Sequence, residues 1–232
     1  MDLLEEGLRQ AFRLLTGGDR EVWSILWLSL VVSGTATFVA LLIGIPLGAF
    51  LALARFPGRR LVVSAVNTGM GLPPVVVGLF VSLLLWRSGP LGGWEILYTP
   101  AAIVVAQAVI AAPIVTGITL AAVQNVPAKF RLQLVALGAS RVQMVSVVLR
   151  EARLPMLAAV MAGFGGVISE IGASMMVGGN IKGHTRTLTT AMVLETGKGN
   201  FDVAIALALL LLILIFTINW ALTSIQQRRA DQ

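Results

Sequence analysis

The sequence has 232 residues, of which 57% are hydrophobic and only 12% are charged. Soluble domains carry about 25% charged residues, so this composition excludes a water-soluble enzyme, a disordered protein and a nucleic-acid-binding module. The net charge of +6 comes from 17 basic and 11 acidic residues, and in a membrane protein such an excess usually lies in cytoplasmic loops.

The first predicted element is an N-terminal amphipathic segment, residues 1–18. Its acidic residues come first, and its apolar residues share one helical face. These are Leu4, Leu8, Ala11, Phe12 and Leu15. Such a helix is expected to lie on the membrane surface; a simple solvated lead-in is the alternative. We expect Gly17 and Gly18 to end this helix and Asp19 to cap the next one.

Five apolar stretches follow, each long enough to cross a bilayer core, which needs about 20 mostly apolar residues. They cover about residues 23–54, 61–86, 99–123, 154–177 and 203–223. Little chain is left for a separate soluble domain. Residues 19–225 are therefore predicted to form one all-α, polytopic transmembrane domain with about five helices, followed by a tail at residues 226–232.

The distribution of basic residues predicts the orientation in the membrane. With five spans, one side holds residues 55–60, the loop 124–153 and the tail, which together carry ten basic and two acidic residues. The other side holds seven basic residues and most of the acidic ones. This bias favours a cytoplasmic position for the loop 124–153. We therefore expect the N-terminus outside the cell and the C-terminus in the cytoplasm.

The loop 124–153 reads as a helix, a glycine turn and a second helix. Asn125 can cap the first helix, with Pro127 in its first turn, and Gly138 suits a left-handed position at its end. Ser140 can cap the second helix. Each helix has one apolar side. Phe130, Leu134 and Leu137 form that of the first helix, and Val142, Val145 and Val148 form that of the second. Such a polar hairpin cannot lie within lipid. We favour a docking element for a cytoplasmic partner; an ordinary helical connection is the alternative.

Residues 137–140 (LGAS), followed by an apolar helix and Leu154-Pro155, resemble the EAA loop of type I ABC importer permeases. The resemblance implies that the loop inserts into a cleft on a separate ATPase subunit and couples it to the membrane gate. Where that family commonly has Glu-Ala-Ala, this sequence has residues 132–134 (LQL), so either Arg131 or Gln133 substitutes or the contact is apolar. The implied coupling residues are Arg131, Leu132, Gln133, Leu134, Gly138, Ala139, Ser140 and Arg141.

Two further segments, residues 71–78 and 169–191, resemble molybdate and tungstate permeases, and tungstate permeases most closely. The resemblance implies an extracytoplasmic substrate-binding protein as a partner. It also implies a homodimer with the translocation path on its two-fold axis. The chain has no P-loop, since residues 196–199 (TGKG) lack the required spacing. ATP hydrolysis is therefore expected from another subunit. The choice between tungstate and molybdate stays open, because the binding protein does most of the selecting.

Several residues are candidates for the substrate path or its gate. Cations and hydroxyls in the predicted external loop suit a tetrahedral oxyanion; a solvated loop or a docking surface for the binding protein is the alternative. Pro73 and Pro74 are expected to break or kink the second span. Glu170 is the only charge inside a span, and we favour a structural or gating role in which it accepts hydrogen bonds from a neighbouring helix; direct substrate contact is the alternative. The loop candidates are Asn180, Lys182, His184, Thr185, Arg186 and Thr187.

Two other function classes fit the sequence less well. A secondary transporter typically shows several intramembrane ionisable residues and inverted repeats, and we detect one such residue and no repeat. An intramembrane enzyme needs a nucleophile with a base, or a metal site. Cysteine is absent and His184 is the only histidine, so thiolate and multi-histidine metal sites are excluded. We expect no metal or cofactor in this chain.

Overall fold

The computed structural model describes residues 2–17 and 20–230, which form helices joined by short loops, with no strand among them. The helices are α1 Asp2–Thr16, α2 Arg20–Leu53, α3 Arg59–Met70, α4 Pro74–Leu85, α5 Pro100–Gln124, α6 Ala128–Ala136, α7 Arg141–Glu151, α8 Arg153–Ile168, α9 Gly172–Gly178, α10 Leu188–Gly197 and α11 Phe201–Ala230, with a short 3-10 turn at Gly92–Trp94. The helix end predicted at Gly18 and the cap predicted at Asp19 lie outside the described residues.

The membrane spans agree with the prediction at three places and differ at two. In the described part of the chain, three helices are long and apolar enough to cross a membrane, α2, α5 and residues 201–227 of α11. The other two predicted spans are bent helix pairs, with 103° between α3 and α4 and 59° between α8 and α9. Among the described residues the candidate spans therefore number three, or up to five if each bent pair counts as one span, which agrees with the predicted five if both pairs cross the membrane.

The first break has a local cause that the sequence contains. Pro73 adopts φ −61° and ψ 126°, and Pro74 is the first residue of α4. A residue that precedes a proline is disfavoured in helical geometry, and proline has no N–H to donate to the preceding turn. The break predicted at these prolines is therefore confirmed, and α4 starts afresh in a new direction.

Small residues let the central helices approach closely. In α2, Ala36, Ala40, Gly44 and Gly48 are spaced four apart and are buried against α5. A Cβ added at Gly48 would lie 2.6 Å from the carbonyl oxygen of Thr116. This spacing of small residues is typical of helix contacts in membranes. It makes α2 and α5 the centre of the fold, against which α8 packs.

Helix α1 packs along α11, where Gly7 of α1 faces Ile205. On the other side of α1, Leu8 and Phe12 are exposed. An apolar side that faces away from the protein agrees with the predicted amphipathic character. The predicted position of this helix on the membrane surface stays a prediction.

Candidate coupling hairpin and path-gating site

The turn between α6 and α7 is built by local backbone rules. Gly138 has φ +79°, the left-handed conformation predicted for it. The Ala139 N–H donates to the Leu134 carbonyl and the Gly138 N–H to the Val135 carbonyl, both at 3.0 Å. These two bonds form a Schellman motif, which satisfies the last carbonyls of α6. Only a residue that tolerates positive φ fits there, so the glycine fixes the reversal.

The start of α7 also follows the prediction. The Gln143 N–H donates to the Ser140 hydroxyl at 3.3 Å, and the Ser140 N–H donates to the Gln143 side chain at 2.8 Å. This reciprocal capping box satisfies two otherwise unpaired donors. By contrast, Asn125 does not cap α6, because it lies at the end of α5; α6 begins at Ala128, directly after Pro127. The predicted cap at Asn125 is wrong, as is the placement of Pro127 inside the first turn.

One face of the hairpin packs against the end of α5, and the opposite face is exposed. Phe130 and Leu134 pack with the buried Val123 and Val148, which connects the hairpin to the end of α5. The prediction that Leu137 shares one side of α6 with Phe130 and Leu134 is wrong, because Leu137 is 83% exposed while the other two pack in the buried cluster. The same correction applies to Val142 in α7.

The exposed residues of the hairpin form an apolar surface, which we call the hairpin tip. It consists of Leu132, Val135, Leu137 and Val142, whose side chains are 59–83% exposed. These residues lie outside the candidate spans. Exposed apolar patches of this kind mark interaction sites. The tip includes Leu132, the position where the resembling permeases have an acid.

Glu170 caps α9. Its carboxylate accepts hydrogen bonds from the Ala173 N–H at 2.8 Å, from the Ser174 N–H at 3.0 Å and from the Ser174 hydroxyl at 3.1 Å. The residue is only 6% exposed. Its three donors lie only three and four residues further along the chain, inside the same predicted span, so the carboxylate makes local hydrogen bonds rather than the predicted ones from a neighbouring helix. A buried carboxylate with this many donors is well compensated.

Other elements meet at the same point, which we call the Glu170 junction. The Thr189 hydroxyl of α10 donates to the Glu170 carbonyl at 3.0 Å. The Gln107 side chain of α5 donates to the Val167 carbonyl of α8 at 2.9 Å and to the Ser174 hydroxyl at 3.4 Å. Four helices, α5, α8, α9 and α10, are thereby tied to one bend. Gln107 is 2% exposed; sequence reasoning missed it because only charged residues in the spans were considered.

The broken helices α4 and α9 start beside each other. A Cβ added at Gly172 would lie 2.5 Å from the Val75 side chain, and one added at Gly78 would lie 2.6 Å from Cα of Ala173. The break at Pro73 and Pro74 is therefore next to the Glu170 junction. The structure brings together these two predicted gate features, which are about 100 residues apart in the sequence.

The cations of the loop that is predicted to be external are not free. Lys182 lies 2.6 Å from one carboxylate oxygen of Glu21, and Arg186 lies 3.5 Å from the other. Glu21 is in the first turn of α2, so this ion pair joins α2 to the loop before α10. The Arg186 Nε is buried and has no hydrogen-bond partner in the described part of the chain. Sequence reasoning missed Glu21, because nothing local indicates a partner 161 residues away.

The same cations line an outer cavity of about 410 Å³ together with Glu195 and Lys198. Lys198 lies 2.7 Å from Glu195. The hydrogen bonds from Lys198 and Asn200 hold the pKa of the Glu195 carboxyl below its ordinary value. With three basic and two acidic residues, the outer cavity keeps a surplus of one positive charge.

The predicted loop threonines hold the loop together. Thr185 is buried, and its hydroxyl accepts from the Ile181 N–H and donates to the Gly178 carbonyl. Thr187 caps α10 through a reciprocal arrangement with Thr190. Asn180, with φ +50°, donates from its side chain to the Thr190 carbonyl at 3.3 Å. His184 is exposed. Thus Lys182 and His184 are exposed, Arg186 is largely buried, and Thr185 and Thr187 face inward.

The fold and the sequence place the chain among known transporters. Residues 44–231 match the family described as "Binding-protein-dependent transport system inner membrane component". The chain belongs to this family. It is therefore a multi-pass membrane permease subunit of an ABC importer, and the recognition based on its EAA-type loop is confirmed.

Three relatives illustrate the range of the family. The tungstate uptake system permease protein TupB of Peptoclostridium acidaminophilum is 40% identical over 98% of this chain and 100% of that protein. A probable anion ABC transporter permease protein of Haloferax volcanii is 42% identical over 77% of this chain and 79% of that protein. The molybdenum transport system permease protein ModB of Escherichia coli K12 is 30% identical over 73% and 78%.

Solved structures support the fold class. A structure described as an inward-facing conformation of the MetNI methionine ABC transporter matches with a TM-score of 0.73 and 23% identity, and covers 91% of this chain and 98% of that chain. At this identity the likeness concerns the fold alone. The predicted all-α, type I importer-like architecture is confirmed.

Proposed function

We propose that this permease forms the translocation path for tungstate in an ABC importer, with molybdate as the second candidate. The observation that supports tungstate as the substrate is the 40% identity to a tungstate uptake permease along nearly the whole of both chains. A tungstate uptake permease of Campylobacter jejuni, 36% identical over 87% of this chain, supports the same choice. The ModB relative, at 30% identity, favours molybdate less strongly.

The proposed assembly contains two copies of this chain, a separate ATPase and an extracytoplasmic substrate-binding protein. A single chain with three to five spans is small for a gated path, and a two-fold axis gives both copies the same role. The ATPase binds the hairpin in the cytoplasm. If each bent helix pair counts as one span, five crossings then put the N-terminus outside and the C-terminus inside. The basic bias around residues 124–153 supports this orientation.

The hairpin tip is the proposed ATPase contact. With Leu132 at the position of the usual acid, burial of apolar surface replaces an ionic contact. Arg131 and Gln133 flank Leu132 in the sequence and Arg141 precedes Val142, so polar contacts can accompany this apolar one, and the turn at residues 138–140 holds both helices in position. Leu134 acts from the inside by packing the hairpin against α5.

The Glu170 junction is the proposed gate support. A carboxylate in an anion path would repel the substrate, and Glu170 already accepts three hydrogen bonds. Its role is therefore to hold α9, and with it the start of α4 at Pro73 and Pro74. At the outer surface, Lys182 and Arg186 supply the positive potential that an arriving divalent oxyanion meets, and the exposed His184 lies between them in the sequence.

The function is tested by reconstituting the permease with its ATPase and binding protein in proteoliposomes and measuring uptake of tungstate, molybdate and sulfate. We expect ATP-dependent uptake of tungstate, with molybdate second. The control is the same complex with the P-loop lysine of the ATPase replaced. Uptake that persists without ATP would favour a secondary transporter, and preference for sulfate would refute the proposed substrate.

A further inference from the structure

A groove runs between the last two turns of α2 and the length of α7. We call it the interfacial groove; its cavity volume is about 780 Å³, which lies within the range of about 300–1,000 Å³ typical of ligand pockets. Its lining is mostly apolar and includes Pro46, Phe50, Leu53, Met144, Val145 and Leu149.

Two arginines complete the groove lining. Arg55 follows α2 and Arg141 begins α7, and both are exposed. In the described part of the chain neither side chain has an ion pair or hydrogen bond, and no acidic residue lines the groove. Arg59, close by, differs in that its Nε donates to the Leu51 carbonyl at 2.7 Å. The groove therefore combines an apolar floor with two uncompensated guanidinium groups.

The position of the groove fits the boundary between lipid and water. The uncharged stretch of α2 begins after Glu21 and ends at Arg55. Phe50 and Phe56 stack there with ring centroids 5.6 Å apart, and aromatic residues are enriched at membrane interfaces. A second cavity of about 340 Å³, lined by Arg55, Arg59 and Arg60, adjoins this region. Apolar surface and positive charge thus meet at the end of a membrane helix.

We propose that the interfacial groove binds one anionic phospholipid. The headgroup phosphate accepts hydrogen bonds from Arg55 and Arg141, since a guanidinium matches phosphate oxygens in a two-pronged geometry. An acyl chain lies along Phe50, Val145 and Leu149 in the apolar part. Free phosphate would leave this apolar lining uncovered, whereas basic pockets beside membrane helices suit acidic lipid headgroups. The proposal does not depend on which oxyanion is transported.

The bound lipid would connect a membrane helix to the hairpin. Arg55 belongs to the end of α2 and Arg141 to the start of α7, directly after the turn at residues 138–140. One phosphate held by both would fix the start of α7 relative to the end of α2. Lipid composition would then affect how firmly the hairpin transmits force from its partner.

The test measures lipid binding to the purified complex of permease and ATPase by native mass spectrometry. The probes are dioleoylphosphatidylglycerol and, as the zwitterionic comparison, dioleoylphosphatidylcholine. Lipid binding is measured rather than transport or ATPase activity. Arg141 is also a coupling candidate, so its replacement could change either activity without any effect on lipid. Each basic residue near an anionic lipid contributes about fivefold in affinity, so the R55Q/R141Q variant should bind phosphatidylglycerol about 30-fold more weakly than the unmodified complex.

The matched control is R150Q/R153Q, which removes the same charge from the same side of the molecule but lies outside the groove lining; its affinity should stay within twofold. V145W fills the apolar part, keeps both arginines and should lower binding at least tenfold. The proposal is overturned if the complex binds no phosphatidylglycerol, if phosphatidylcholine binds equally well, or if both double variants weaken binding equally. Unchanged binding to V145W, or full displacement by equimolar inorganic phosphate, would also overturn it, because the site would then be a bare anion site.

Discussion

Replacement of Glu170 by glutamine tests whether the buried carboxylate supports the gate. The change keeps the size of the side chain but converts one acceptor oxygen into an NH₂ donor. Glu170 accepts from the Ala173 N–H at 2.8 Å with one oxygen and from the Ser174 N–H and hydroxyl with the other. In E170Q, one of these sets of donors loses its acceptor within a region where the residue is only 6% exposed.

The magnitude follows from these contacts. A hydrogen bond to a charged group contributes about 1.5–3 kcal/mol, and a buried unpaired donor costs about 1–3 kcal/mol. Because the neutral amide is also easier to bury than a carboxylate, the net loss should be about 2 kcal/mol. For a chain of this size, this corresponds to a fall of about 4–8 °C in Tm. Thermal unfolding of the purified complex in lipid nanodiscs measures it.

The uptake assay separates the two roles considered for Glu170. If the carboxylate only holds the Glu170 junction, E170Q should lower both Tm and tungstate uptake. If it faced the substrate, removal of its negative charge should raise the uptake of an anion at nearly unchanged Tm. E151Q is the matched control, because Glu151 is an exposed glutamate at the end of α7. A Tm for E170Q equal to that of E151Q would refute the junction argument.

Three further predictions concern the hairpin and the outer loop. G138V forces a branched residue into a left-handed conformation at a cost of roughly 1–2 kcal/mol, so substrate-stimulated ATPase activity should fall severalfold; unchanged stimulation would contradict the coupling assignment. L137D removes about 2 kcal/mol of apolar burial at the hairpin tip, so pull-down of the ATPase should weaken about 30-fold; equal recovery would show that the tip is not the contact. The K182A/R186A variant should lower tungstate uptake while affinity for the loaded binding protein stays near wild type, with E21Q as the control that breaks the same ion pairs but keeps both cations. A parallel fall in both quantities would indicate a docking surface.

Local rules explain why parts of the hairpin could be predicted. The left-handed glycine and the serine cap depend on neighbouring residues alone, and Gly138 and Ser140 adopt the expected conformations. Asn125 shows the limit of such rules, since a residue that can cap a following helix can also end the preceding one, as it does for α5. Leu137 was misplaced for a related reason. The helical pattern was extended to Leu137, which is the residue that ends α6 rather than part of its regular helix.

Tertiary contacts explain what could not be predicted. Two adjacent prolines indicate that a helix breaks, but the 103° angle at that break depends on the packing of α4 against α9 through Gly78. Gln107 stands among apolar residues of α5, and its partner in α8 is 60 residues away. Glu21 and Lys182 are likewise distant in sequence. A single sequence contains the residues of these pairs but no signal that links them.

Helices α5 and α8 give a physical connection between the hairpin and the Glu170 junction. At one end, Val123 of α5 and Met156 of α8 pack in the same cluster as the inner face of the hairpin. At the other end, Gln107 of α5 donates to the Val167 carbonyl of α8. Between these ends, Val115 and Ala159 are fully buried in one cluster. The 16 residues of α8 span about 24 Å. Because α5 and α8 are packed along this length, a displacement of the hairpin moves both helices, and their far end holds the bend at Glu170. Since α9 and α10 are both bonded to that bend, we expect the hairpin and the gate to move as one unit rather than through a chain of separate side-chain steps.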